Sequence, residues 1–167
     1  MRGLGIEHRR PEGNIAMLDI GAGSSDLVIA RNGIPYLTRI LPVAGDRLTE
    51  LVVKHTGLKT DEAEKAKLAA EGAPAELERF PAQSREYQVN LALREGLKDL
   101  ALELRRSFDY YQLQHKGEGV SRLILSGGGS LIRDLPVFLS KELEMEVSRG
   151  IHDERLRCPQ SLFEKFK

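Results

Sequence analysis

The sequence has a single cysteine, Cys158, in 167 residues and no tryptophan. A lone thiol excludes an intrachain disulfide and a thiolate-built metal cluster, and Cys158 sits in a polar stretch that reads as an unreactive thiol. The four histidines, His8, His55, His115 and His152, are scattered without H-x-x-H spacing, so no zinc site is expected. Neither sign of charge is in excess: 25 Lys+Arg balance 25 Asp+Glu. A nucleic-acid-binding domain would carry a basic surplus, and this chain does not. No run of about 18 apolar residues occurs, so direct membrane insertion is not expected. Residues 1–10 lack the apolar stretch of a signal peptide, and the expected compartment is the cytoplasm. The remainder is an ordinary globular mixture, 41% hydrophobic and 30% charged. Chains of this length bury roughly 70% of their unfolded surface and need no covalent staple.

Glycine, by contrast, is plentiful at 16, and two clusters of it follow directly on apolar runs. Residues 1–13, broken by Gly3, Gly5, Pro11 and Gly13, read as a connector. Residues 15–20 are a short apolar run of the kind a buried strand uses, and 27–30 and 36–41 give two more strands. Asn32-Gly33 is a strong two-residue hairpin signal between them, so an antiparallel meander opens the fold. Pro42 to Gly45 stops the sheet, and Asp46 is placed to cap a helix reaching about His55. Thr60 is placed to cap a second helix ending near Gly72, and residues 73–84, with Pro74 and Pro81, read as a loop.

The longest periodic segment comes next. Val89, Leu93, Leu97, Leu100, Leu104, Phe108 and Tyr111 are spaced 4, 4, 3, 4, 4 and 3, one apolar stripe on a long helix. Gly96 within it costs about 1 kcal/mol against alanine, which points to close packing there. Gly117 and Gly119 are expected to end that helix, before a strand over 120–125. Asp134 is placed to cap a helix over 135–143, with Pro136 in its first turn, and 145–148 forms a last strand. The tail, 151–167, has little pattern beyond Phe163 and Phe166. The order predicts an α/β domain over 14–56 and 83–150 with a helical insertion at 57–82.

Three constellations carry chemistry. In the first, Asp19 ends a strand and is followed by Gly21, Gly23, Ser24 and Ser25. Such a loop can converge amide N–H groups and hydroxyls on a phosphate, with the carboxylate anchoring Mg²⁺ beside it. An ordinary Gly-Ser hairpin turn would use the same residues. In the second, a strand runs into Ser126, Gly127, Gly128, Gly129 and Ser130, where three bare glycines let a flat or anionic group lie against backbone. This is neither a P-loop nor a G-x-G-x-x-G fingerprint. The third is Glu64 with Lys67, three apart on one helix face, able to hydrogen-bond vicinal hydroxyls or simply to be solvated.

Together, in this order and spacing, the three motifs resemble the second half of the actin-like ATPases, the superfamily of actin, sugar kinases and heat-shock chaperones. Within it the likeness is to the PilM family of type IV pilus assembly proteins, with the FtsA cell-division family next. Arg31-Asn32-Gly33, Thr38-Arg39, 42–45 and 104–111 are also similar to PilM sequences. The resemblance implies a ribonuclease H-like subdomain 2A with a small helical 2B insertion. It further implies ATP with Mg²⁺, held by Asp19, Gly21, Gly23, Ser24 and Ser25 at the phosphates. Glu64 and Lys67 would reach the ribose, with Gly127, Gly128, Gly129 and Ser130 at the adenosine and Asp19 as the metal anchor.

By the same resemblance the chain is a nucleotide-side half. A first phosphate motif before Asp19 and an apolar closing helix after Lys167 are the family features it lacks. Surfaces left bare are expected to be patched by dimerisation or to fray. The implied role is an ATP-binding scaffold in pilus assembly, cytoplasmic and associated with the inner membrane through partners such as a PilN-like cytoplasmic peptide. The rivals are an FtsA-like cell-division scaffold and a small phosphotransferase using Asp19. One wall of a cleft cannot exclude water or clamp a γ-phosphate, so no turnover is expected from this chain alone.

Overall fold

The computed structural model describes residues 13–70, 77–115 and 118–150. The connector up to residue 12, the tail with Cys158, Phe163 and Phe166, and Gly72 and Gly117 lie outside the described residues. Five strands form one sheet in the order β3-β2-β1-β4-β5. β1 (Asn14–Ile20), β2 (Ser25–Arg31) and β3 (Ile34–Leu41) are the antiparallel meander. Asn32 and Gly33 both take positive φ, 51° and 80°, which gives a turn whose twist matches the strands it joins. β4 (Arg122–Ser126) returns parallel to β1, and β5 (Glu146–Arg149) parallel to β4.

Alternation along β1 decides which face is covered. Ala16, Leu18 and Ile20 are buried, whereas Met17 and Asp19 between them are exposed. Leu27 and Ile29 of β2 and Leu123 and Leu125 of β4 continue the covered face, which shares one hydrophobic core with the helices. Helix α1 (Gly45–Thr56) contributes Leu48, Leu51 and Val52, and α4 (Leu135–Leu143) contributes Leu135 and Leu139. The expected long helix is α3 (Arg85–Gln114), capped by the Ser84 side chain accepting the Tyr87 N–H at 3.0 Å. Its stripe is buried as read, with Phe108 half-buried. The short helix is α2 (Thr60–Ala69), packed on α1.

Three helix starts differ from expectation. Asp46 does not cap α1: Ala44 holds the cap position, and the Gly45 and Asp46 amides are satisfied by carbonyls of a distant loop. Thr60 lies inside α2, with Lys59 at the cap and the Glu62 carboxylate accepting the Lys59 N–H at 3.2 Å. Asp134 occupies the cap of α4 in a left-handed conformation, φ 58°, without a side-chain bond. At the other end, α3 stops at Gln114, where His115 N–H closes onto Tyr111 O at 3.1 Å, ahead of the glycines expected to end it.

Gly96 does mark a close helix contact. A Cβ there would lie 2.5 Å from Leu48 Cδ2 and 2.8 Å from Leu51 Cδ1, and both leucines are fully buried. Gly96→Ala gains about 1 kcal/mol of helix propensity but forces overpacking worth about 1–3 kcal/mol. A net loss of about 1 kcal/mol in urea unfolding is expected; a stabilised variant would mean that α1 and α3 do not meet at this distance.

Candidate functional site

Parallel pairing sets Asp19 of β1 directly against Ser126 of β4, so the two glycine loops leave the sheet side by side. Asp19 is exposed, and its Oδ2 accepts a hydrogen bond from Ser126 Oγ at 3.1 Å. Its antiparallel neighbour is Asp26 on β2.

The second loop turns sharply at Gly127, whose φ of 79° and ψ of 170° are open essentially to glycine alone. A Cβ there would also strike Ile20 O at 2.5 Å and Asp19 Oδ1 at 2.6 Å, and one on Gly129 would run into the Ile20 side chain. Gly128 differs, because a Cβ at that position meets nothing within 4 Å. Instead of passing straight into an α-helix, the loop makes a 3₁₀ turn over Gly128–Leu131 before α4. Ser130 is buried, and its hydroxyl donates to Gly127 O at 2.7 Å. Arg149, at the end of β5, clips the loop from behind, donating to Ser130 O at 2.7 Å and to Ile132 O at 2.9 Å.

The first loop is tied to α1. Gly21 N–H closes onto Ser24 O at 3.0 Å, while Gly45 N–H donates to Gly21 O at 3.0 Å and Asp46 N–H to Ala22 O at 2.8 Å. No described group takes the Ala22 or Gly23 N–H, so both remain for an outside acceptor. Ser25 is fully buried and donates to Val43 O at 2.6 Å, which fixes the chain entering α1.

From α2, Lys67 reaches under the same helix start. Its ammonium donates to Gly45 O at 3.1 Å, Thr49 Oγ1 at 3.0 Å and Glu64 Oε2 at 2.7 Å. The Lys67 side chain is 7% exposed, that of Glu64 44%. The Lys67 ammonium first and the Thr49 hydroxyl second, both donating to Glu64, hold its carboxyl below the usual glutamate range.

These elements enclose a cleft of about 420 Å³, within the range of small-molecule sites. Of the residues singled out in the sequence, Gly21, Glu64, Lys67, Gly128 and Gly129 line it. Asp19, Gly23, Ser24, Ser25, Gly127 and Ser130 are not on its wall; Asp19 lies against Gly127, one residue from the lining. The sequence reading missed Gly45 and Asp46 from α1, Leu68 and Ala70 beside Lys67, and Leu131, Ile132 and Arg133 after the glycines. Leu68 is 71% exposed and Leu131 74%, which puts two unpaired apolar side chains on the lining. Apolar residues immediately following a glycine loop were the available signal for Leu131 and Ile132. Gly45 reads in the sequence only as part of the 42–45 stretch that stops the sheet, with no local signal for the cleft. No group of three or more metal-ligating side chains occurs among the described residues.

Glycine loops thus meet at the carboxyl ends of β1 and β4 in a mixed sheet, and the comparisons with known proteins identify the fold as that of the actin-like ATPases. The family model described as "Cell division protein FtsA" matches residues 16–162, and the chain belongs to that family. The chain is 29% identical over 172 residues to the cell shape-determining protein MreB of Pasteurella multocida, covering 85% of this chain and 47% of that protein. Among solved structures it is similar to the PilM-PilN type IV pilus biogenesis complex, with TM-score 0.69, 26% identity, and coverage of 90% of this chain and 41% of that one. MreB5 of Spiroplasma citri bound to AMPPNP shares the fold, with TM-score 0.62, 18% identity, and coverage of 93% and 54%. The chain thus spans about half the length of the relatives it matches.

The Glu64 network has a definite pH signature. A carboxyl whose folded pKa is depressed contributes stability that is fully present above its ordinary value of about 4.5 and is lost as pH falls through the lowered folded value. With Glu64 nearly half exposed, Glu64→Gln is expected to cost about 1 kcal/mol at pH 7. Denaturation midpoints of the variant and wild type should converge as pH drops below 4.5. A pH-independent difference would mean that the charge on Glu64 is not what Lys67 and Thr49 recognise.

Proposed function

We propose that this chain is the nucleotide-side half of a PilM-like, ATP-binding actin-like scaffold that serves type IV pilus assembly. The observation that carries the reading is the convergence of Gly21, Gly128, Gly129, Glu64 and Lys67 on one cleft, although they lie far apart in sequence. The phosphates would rest against the β1–β2 loop, where the Ala22 and Gly23 amides are unspent. The base would lie flat on Gly128, between the apolar side chains of Leu68 and Leu131, and the ribose would face the Glu64–Lys67 side.

The residues present fit ATP with Mg²⁺. Gly128 leaves room that any Cβ would fill, and Asp19 offers an exposed carboxylate with one oxygen already oriented by Ser126. Mg²⁺ commonly takes one or two carboxylates and keeps its waters, so a single Asp19 suffices, and bound there the ion would neutralise phosphate charge. α2 corresponds to the helical 2B insertion and the five-stranded sheet to 2A. No described helix is long and apolar enough to cross a membrane, which suits a scaffold recruited to the inner face of the cytoplasmic membrane by a PilN-like peptide. The solved PilM-PilN likeness supports that partner.

The second reading, a cell-division scaffold, is favoured by the FtsA family match. Deleting the gene separates the two: loss of surface pili with normal septation supports the first, and filamentous cells support the second.

The site itself is tested by neighbouring glycines. Gly128→Val should leave the unfolding midpoint unchanged and lower affinity for Mg²⁺-AMPPNP by about tenfold or more, read from chemical-shift titration of the 167-residue chain. Gly127→Ala should instead destabilise the fold by about 3 kcal/mol, from backbone strain plus the clash with Ile20. Wild-type nucleotide binding by a folded Gly128→Val variant would remove the nucleotide from this cleft.

A further inference from the structure

An ammonium has three N–H donors, and all three of Lys67's are taken by protein acceptors: Gly45 O, Thr49 Oγ1 and Glu64 Oε2. With its side chain 7% exposed, Lys67 cannot turn toward a cleft ligand without stranding buried partners. Thr49, itself buried, donates to the same Glu64 oxygen and lies 3.1 Å from Gly45 O. The backbone of Gly45 is therefore shared: its carbonyl is held by α2 through Lys67, and its N–H holds Gly21 O of the β1–β2 loop. Glu64 has one oxygen, Oε2, fixed by this network.

We infer that Lys67, with Thr49, is a positioning residue: it locks α2, the first turn of α1 and the β1–β2 loop into one frame. This frame does not rest on the nucleotide reading of the cleft.

The test uses the 167-residue chain without nucleotide. In Lys67→Met, the Glu64 carboxyl, followed by carbon-13 NMR, should titrate at higher pH than in wild type. The amides of Gly21, Gly45 and Asp46 should exchange with deuterium about tenfold faster or more. Thr49→Val should move both readouts in the same direction, and Thr49→Ser should restore them; this pair carries the test if Lys67→Met does not fold. Unchanged titration and exchange in the folded variants would overturn the frame.

Discussion

The backbone of Gly45 is the point on which the site's geometry depends. It sits where the meander ends and α1 begins, and both of its polar groups are engaged by other segments, the N–H by the β1–β2 loop and the carbonyl by a buried ammonium. Helix starts normally leave four N–H groups to be satisfied by side chains or water. Here two of them are satisfied by loop carbonyls, which is why α1 needs no side-chain cap and why the loop has a fixed place relative to the helix. A Cβ at Gly45 would come within 3.3 Å of Gly21 O, so the closeness of loop and helix also depends on the missing side chain.

The triple glycine shows how adjacent identical residues divide their duties. Gly127 and Gly129 are held against Ile20 and Asp19 and answer to the needs of the sheet. Gly128, between them, answers only to the space in front of it. The serines divide from the glycines in the same sense: Ser25 and Ser130 turn inward to main-chain carbonyls and brace the loops, while Ser126 orients the exposed carboxylate of Asp19.

Much of this was legible from residue patterns. The meander followed from apolar runs and Asn32-Gly33, the long helix from its stripe, and the glycine loops from their position after strands. What escaped was whatever depends on tertiary partners. Asp46 and Thr60 have the chemistry of caps, but distant carbonyls and a neighbouring glutamate met the need first. Lys67 reads as a solvated lysine because its burial is a property of how α2 lies on α1, which no spacing within α2 reveals. Arg149 gave no signal, since its acceptors are main-chain carbonyls nearly twenty residues earlier.

That arginine has a consequence for the order in which the molecule is assembled. The turn after β4 is fastened by a guanidinium carried on the last strand, so a nascent chain that has emerged only through α4 holds its glycines without their clasp. The cleft wall acquires its final shape only when β5 pairs with β4, after the meander, both early helices and the long helix are already available to fold. Only a chain whose sheet is complete therefore carries the clasped form of this wall.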